Sequence, residues 1–215
     1  NMGNTDSTTD FTTALRVALV TGGAQRIGAA LCRVLHGAGY KIALHYQSSG
    51  EAAATLAEEL NRVRDGSAAC FQAMLGERSA AEELVGGVLD RFGRVDLLVN
   101  NASAFYPTPI GSITEEDWDT LVGSNLKGPL FLCQAMAVHL AQSGGSIINM
   151  IDIHGERPLA DYAVYSTAKA GLAMLTRSLA RELAPEVRVN GIAPGFVETA
   201  LTQQACDSPE FREHL

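Results

Sequence analysis

Short apolar runs alternate with longer stretches of helical spacing along nearly the whole chain. Runs at Arg16–Val20, Lys41–His45, Ala68–Gln72, Val95–Val99, Ser146–Ile151 and Val187–Ile192 predict six strands, being short and apolar as buried strands are. Between them the apolar positions recur every three or four residues. A first helix is predicted with Ile27, Leu31, Val34 and Leu35 on one face, closed by Gly37 and Gly39. Others are predicted over Glu51–Arg64, Ala80–Phe92, Gly128–Gln142 and Val164–Leu183. Thr114 and Asp117 have the spacing of a helix N-cap. The helix they open carries Trp118, Leu121 and Val122 and leads to Asn125. Regular alternation of strand and helix predicts an α/β fold, a doubly wound parallel sheet with helices on both faces.

Ligands of such sheets sit beyond the carboxyl ends of the strands. Three stretches fall there and converge on one crevice: T-G-G-A-Q-R-I-G at 21–28, N-N-A-S at 100–103, and Asp152. The first joins a strand to a helix through glycines, and free N–H groups at a helix start attract phosphate. Gly22 permits the tight turn and Gly28 the close packing of helix on strand. The spacing is not the G-x-G-x-x-G of the common dinucleotide fingerprint. In NAD-binding units an acid about 20 residues past the glycines takes the ribose hydroxyls. Here Tyr46, Gln47, Ser48 and Ser49 follow the second strand, with no acid before Glu51. A 2′-phosphate is then not repelled, and Arg26, Ser48 and Ser49 are placed to receive it. This favours NADP over NAD; an ordinary polar loop is the alternative.

Tyr165 and Lys169 stand four apart at the start of the last long helix, so they share a face. An isolated phenol has a pKa of about 10, and a neighbouring ammonium is expected to lower it. The pair would make a proton donor for near-neutral pH. Tyr162 has Ser166 at the same spacing and is no equivalent. Asp152, thirteen positions before Tyr165, is brought beside the phenol if a strand ends there. A snorkelling surface pair is the plainer reading of Tyr165 and Lys169, and an ion pair to Arg157 or Lys169 the plainer reading of Asp152. Phe105, in the proline-stiffened loop A-F-Y-P-T-P-I, either stacks on a flat ring or covers the core.

The 215 residues suffice for one domain, taken as 14–215 after a polar leader at 1–13 expected to be disordered. Hydrophobic residues at 47% and charged residues at 19% suit a globular protein. A net charge of −8 argues against a nucleic-acid partner, since phosphate contacts need clustered cations. No apolar run approaches the roughly 20 residues of a membrane span, and no secretory signal pattern opens the chain. Cys32, Cys70, Cys133 and Cys206 are scattered, which predicts free thiols in a reducing cytoplasm, not a disulfide or metal framework.

The glycine turn, N-N-A-S, Asn125, Tyr165-x-x-x-Lys169 and Pro194-Gly-x-x-x-Thr199 together resemble the short-chain dehydrogenase/reductase family, from about Leu15 to Thr199. The resemblance implies a Rossmann-type fold and a nicotinamide cofactor. It implies contacts to that cofactor from Gly22, Gln25, Arg26, Ile27 and Gly28, from Tyr46, Ser48 and Ser49, and from Asn101, Ala102 and Ser103. Tyr165, Lys169, Pro194, Gly195 and Thr199 complete the set. The implied catalytic residues are Asn125, Tyr165, Lys169 and residue 152.

Most members carry Ser at position 152 and Gly at position 26, and these departures resemble the pteridine reductase branch. That likeness implies NADPH, a small-molecule pteridine substrate, and a homotetramer. Arg26 and Ser103 would contact pterin or cofactor phosphate, and Phe105 would sandwich the pterin. Ser48 stands where parasite members have Arg, and Met74 where the family has Asp near the adenine. The chain stops at Leu215, before a last strand and helix that members carry, and Ser208-Pro209-Glu210 resembles a helix start.

The expected chemistry is reduction of a dihydropterin or dihydrofolate C=N bond. Tyr165 and Asp152 would deliver the proton, Lys169 would hold the nicotinamide ribose, and Asn125 would position a water. A carboxylate beside the tyrosine repels the oxyanion of a carbonyl substrate, whereas a carboxyl relays a proton to nitrogen. A carbonyl or 3-oxoacyl reductase is the first alternative, and a non-catalytic NADP-binding scaffold the second.

Overall fold

A computed structural model of the chain describes residues 15–195. The expected leader, Thr199, Cys206 and the helix start at Ser208 lie outside the described residues. Six strands form one parallel sheet: β1 (Val17–Val20), β2 (Lys41–Tyr46), β3 (Ala68–Gln72), β4 (Leu97–Asn100), β5 (Ser146–Met150) and β6 (Arg188–Ile192). Their order across the sheet is β3-β2-β1-β4-β5-β6. The helices between them are α1 (Arg26–Gly37), α2 (Gly50–Val63), α3 (Arg78–Phe92), α4 (Glu115–Val122), α5 (Gly128–Ser143) and α6 (Ala163–Glu182). This is the doubly wound, Rossmann-type arrangement expected from the alternation of patterns.

Successive strand residues point to opposite faces, and both faces here are covered. Val17, Leu19, Ala43, Leu98 and Ile147 pack with α3 and α5. Ala18, Val20, Ile42, Leu44 and Val99 pack with α1 and α2. Burial on both sides is why these strands read as unbroken apolar runs instead of alternating ones. The order reverses between β1 and β4, which opens a crevice at their carboxyl ends.

Several boundaries shift. β1 starts at Val17, β4 at Leu97 and β6 at Arg188, while Ile151 falls after β5. The face of α1 is borne out in part: Leu31 and Leu35 pack against the core, but the face is centred elsewhere. It buries Gly28, Ala29, Cys32 and His36, whereas Val34 is 69% exposed. Small residues win this face because the helix start lies almost on the glycine turn. A Cβ on Gly28 would stand 2.0 Å from the Gly22 carbonyl oxygen. Thr114 and Asp117 do form a reciprocal capping box at the start of α4. Cys32, Cys70 and Cys133 are free thiols, as expected.

Two polar braces fix the strands that carry the crevice. Asp96, 6% exposed, accepts the Val17 N–H at 2.8 Å and the Arg94 guanidinium at 2.5 and 3.0 Å. The Asn100 amide donates to Asn149 Oδ1 at 2.8 Å, and the Asn149 amide donates to Thr176 at 2.9 Å. The second brace ties β4 and β5 to α6, the helix that bears Tyr165 and Lys169.

Candidate active site

The chain leaves β1 through Gly22, whose φ of +61° lies in the left-handed region that glycine enters without steric cost. A Cβ there would come within 2.9 Å of Ala102 Cα, so the glycine lets this turn rest against the end of β4. The Asn101 amide donates to the carbonyls of Thr21 and Gly22 at 2.9 and 3.2 Å. Arg26 holds a φ of +49°, unusual for a residue with a side chain. Gln25 caps α1 without a side-chain hydrogen bond, and no acid stands in the first turn. The free N–H groups of that end are therefore open to an anion.

A groove of about 790 Å³ runs along the strand ends, within the size range of small-molecule sites. Gly22, Gln25, Arg26, Ile27 and Gly28 line it from the glycine turn. Tyr46, Ser48 and Ser49 line it from the end of β2, and Asn101, Ala102 and Ser103 from the end of β4. All were expected to touch a cofactor. Met74, 71% exposed, forms part of the wall beyond β3. Sequence reasoning missed the α4 side of the groove, from Trp118 to Lys127, and also missed His45. The only signal for His45 was a polar residue inside an apolar strand.

Tyr165, Lys169, Asp152, Phe105, Pro194 and Gly195 do not line this groove; the tyrosine lies past Ser103. The Tyr165 hydroxyl donates to Asp152 Oδ2 at 2.7 Å. The other oxygen of Asp152 accepts the His154 N–H at 2.9 Å and caps a short 3-10 turn, Ile153–Gly155, that the sequence did not announce. The Pro194 carbonyl accepts the Ile153 N–H at 3.4 Å, which lays the end of β6 beside this turn. Lys169 donates to the Met150 carbonyl at 2.9 Å, and its ammonium lies 5.6 Å from the centre of the Tyr165 ring. Tyr165 and Lys169 are 4% and 3% exposed, so they are not a snorkelling surface pair. Nor is Asp152 in an ion pair with Arg157 or Lys169 among the described residues.

The expected lowering of the phenol pKa is not found. Burial raises it most, and the hydrogen bond and charge of Asp152 raise it further; Ser103 pulls weakly the other way. Lys169 is itself pushed down to about 8 by burial, with Asp152 opposing. Burial disfavours the phenolate first, and a carboxylate that accepts the phenol's hydrogen disfavours it further.

Asn125 sits in a single π-helical turn, Gly123–Lys127, between α4 and α5. Such turns often mark functional sites. It is fully buried. Its amide donates to the carbonyls of Ala104 and Leu121, both at 2.9 Å, and its oxygen accepts from Ser103 at 2.7 Å. Both amide hydrogens are thus engaged, and the side chain braces the Ser103 corner where a water-holding role was expected. Phe105 is half exposed and stacks on Tyr162 with centroids 4.6 Å apart. It also meets Tyr165 edge-on at 4.8 Å. Phe105 therefore stands at the mouth beside the phenol and does not cover the core.

The chain matches the family described as short chain dehydrogenase over residues 16–210, and it belongs to that family. It is an oxidoreductase of the class that works with a nicotinamide dinucleotide. It is 38% identical to Pteridine reductase 1 of Leishmania tarentolae, over 84% of this chain and 76% of that one. It is 36% identical to the 3-oxoacyl-[acyl-carrier-protein] reductase of Synechocystis, over 90% and 79% respectively. A 3-oxoacyl-[acyl-carrier-protein] reductase of Staphylococcus aureus is 34% identical over 92% and 80%. Among the described residues no helix is long and apolar enough to cross a membrane.

Proposed function

We propose that this oxidoreductase reduces a pteridine C=N bond, of the dihydropterin or dihydrofolate kind, with NADPH. The observation that carries this reading is the Tyr165–Asp152 hydrogen bond. Reduction of an imine needs a proton at nitrogen as hydride reaches carbon. When bound, the dinucleotide supplies that hydride. The uncapped start of α1, with Gly22 and Arg26, fits its phosphates, and Ser48 and Ser49 suit a 2′-phosphate with no acid near enough to repel it.

Tyr165 is held protonated, and its hydroxyl hydrogen points to Asp152. The phenol can turn its proton to a substrate nitrogen only once Asp152 carries one of its own. The two groups then act as one proton-delivery unit, best described by the protonation of the pair. Lys169, anchored on Met150, carries a cation to the floor beside the phenol, where a nicotinamide ribose would lie. Phe105, with one face on Tyr162, offers a ring to a flat heterocycle. Asn125 keeps Ser103 in place next to the phenol. The likeness to a protein named pteridine reductase supports the substrate class. A homotetramer belongs to the same proposal.

The relatives named 3-oxoacyl reductase favour a second reading, reduction of a 3-oxoacyl thioester. Against it stands Asp152, which whenever ionised would repel the oxyanion formed from a ketone. The two readings separate in a steady-state assay of NADPH oxidation. Turnover of dihydrobiopterin or dihydrofolate, without turnover of a 3-oxoacyl thioester, supports the first. The reverse pattern overturns it.

A further inference from the structure

His45 is the second-last residue of β2 and 2% exposed, yet it lines the groove. Its Nδ1 lies 3.2 Å from the Gly22 nitrogen and accepts that N–H. Its Nε2 lies 3.0 Å from the Ala73 carbonyl oxygen. A carbonyl only accepts and a backbone N–H only donates. The pair of contacts therefore fixes one form of the ring, neutral, with its proton on Nε2. The backbone at the end of β2 runs parallel links: the His45 carbonyl accepts the Gly23 N–H at 2.9 Å, and the Tyr46 carbonyl accepts the Ala73 N–H at 3.1 Å.

Gly22 is held on both sides. Its N–H goes to His45 and its carbonyl accepts from the Asn101 amide at 3.2 Å. Gly28, at the start of α1, is pressed against that carbonyl. From the β2 side the turn is thus held by the His45 imidazole at Gly22 and by the His45 carbonyl at Gly23.

We propose that His45 is a positioning residue for the dinucleotide: its neutral imidazole clamps the glycine turn to the chain beyond β3, and protonation releases it. An imidazolium has hydrogen on both nitrogens. Its Nδ1–H would face the Gly22 N–H, donor against donor, and one of them must move. From the turn after β1 the ring meets the Gly22 N–H, and from the β3 side the Ala73 carbonyl, with the uncharged Phe71 as the register partner of His45. The charged residues lining the groove are Arg26, Glu77, Asp119 and Lys127, and Glu77 and Lys127 are paired with each other at 2.9 Å. None of them governs the titration of the ring, which burial pushes below its ordinary range and the Ala73 carbonyl partly restores. Clamping thus persists through the ordinary histidine range and is lost only as pH falls below it.

The inference rests on reading the groove as a dinucleotide site, so the experiment carries one readout that needs no nucleotide. In ¹⁵N-labelled protein the His45 ring should show the neutral Nε2–H form at neutral pH. The Gly22 amide resonance should move as that ring titrates in acid. NADPH affinity, followed by its fluorescence, is compared across pH for the wild type, His45→Asn and His45→Leu. Asparagine keeps an acceptor for Gly22 that does not titrate, and leucine keeps bulk alone. At neutral pH the leucine variant should bind about tenfold or more weakly, a loss of one factor of ten per 1.4 kcal/mol, and asparagine should restore most of that loss. In acid the wild type should lose affinity beyond the asparagine variant, with the 2′-phosphate titration common to both. Equal affinities in all three proteins with a silent Gly22 amide would overturn the proposal. So would wild-type binding that tightens in acid, which would make the imidazolium an anion attractor. If the Gly22 amide follows His45 but no nucleotide binds the wild type, the clamp stands and the dinucleotide reading falls.

Discussion

Tyr165 gives its phenol hydrogen to Asp152, Oη to Oδ2 at 2.7 Å, while Lys169 gives one of its own to the Met150 carbonyl. The tyrosine and lysine share a helix face, but the hydrogen bond runs to the carboxylate thirteen residues earlier. Burial raises the phenol's pKa most, and this negative neighbour raises it further.

Replacing Asp152 with Asn keeps the size of the side chain and removes its charge. Burial would still raise the Tyr165 pKa, but the charge of Asp152 would go and its hydrogen bond would weaken to one with a neutral amide oxygen. The Tyr165 Cζ resonance in ¹³C-tyrosine-labelled protein should titrate at lower pH in the variant. An unchanged titration would show that burial alone sets it. In the wild type the unfolded phenol ionises near pH 10 and the folded one above it, so this contribution to stability is lost as pH rises past that range.

Lys169→Met should separate activity from stability. Burial lowers the ammonium pKa to about 8, so the folded state binds fewer protons than the unfolded one between there and about 10.5. Stability from this group accordingly rises with pH across that window and falls as pH drops through it. A methionine removes a buried charge and leaves the Met150 carbonyl unpaired. The variant should lose activity by about 10²-fold or more. It should unfold in urea with a stability equal to or above the wild type at neutral pH. A large loss of stability would mean that the lysine holds the fold and not the chemistry.

Asp96→Ala should destabilise the protein by about 3 kcal/mol, because it leaves the Val17 N–H and the Arg94 guanidinium without their partner. Asp96 is far from the phenol in the chain and belongs to the brace at the start of β1. Urea denaturation should show the loss while the Michaelis constant for NADPH stays near the wild-type value.

Gly28→Ala should weaken nucleotide binding more than it weakens the fold. The new methyl would meet the Gly22 carbonyl oxygen at 2.0 Å, so the turn or the start of α1 must shift. Overpacking of this kind costs about 1–3 kcal/mol. Isothermal titration with NADPH should show affinity reduced by about tenfold or more. Unchanged affinity would place the phosphates elsewhere.

Much of this architecture was legible in the sequence, since continuous apolar strands and periodic helices leave few other ways to bury both. The glycine turn, the end of β4 and Asp152 were brought to the same end of the sheet by that logic alone. The face of α1 was legible at Leu31 and Leu35, which pack against the core, but not at Val34, because close packing on Gly22 turns Gly28 and Ala29 inward. The π turn at Asn125 and the 3-10 turn after Asp152 have no periodic signature. The direction of the phenol's shift could not be read from spacing, because it depends first on how deeply the ring is buried and then on which neighbour takes the hydrogen bond. His45 was invisible as a groove residue because its role depends on the register of β2 against β3.

The central claim is that Asp152 makes Tyr165 a proton donor for a ring nitrogen. Its most direct test is NADPH oxidation by the wild type and by Asp152→Ser, with dihydrobiopterin, dihydrofolate and a small ketone as substrates. The account predicts pterin turnover in the wild type that falls by about 10²-fold or more in the variant, the usual scale for losing a proton-transfer group, with ketone turnover unchanged or increased. Pterin turnover that survives the substitution, or a wild type that reduces the ketone and neither pterin, would contradict it.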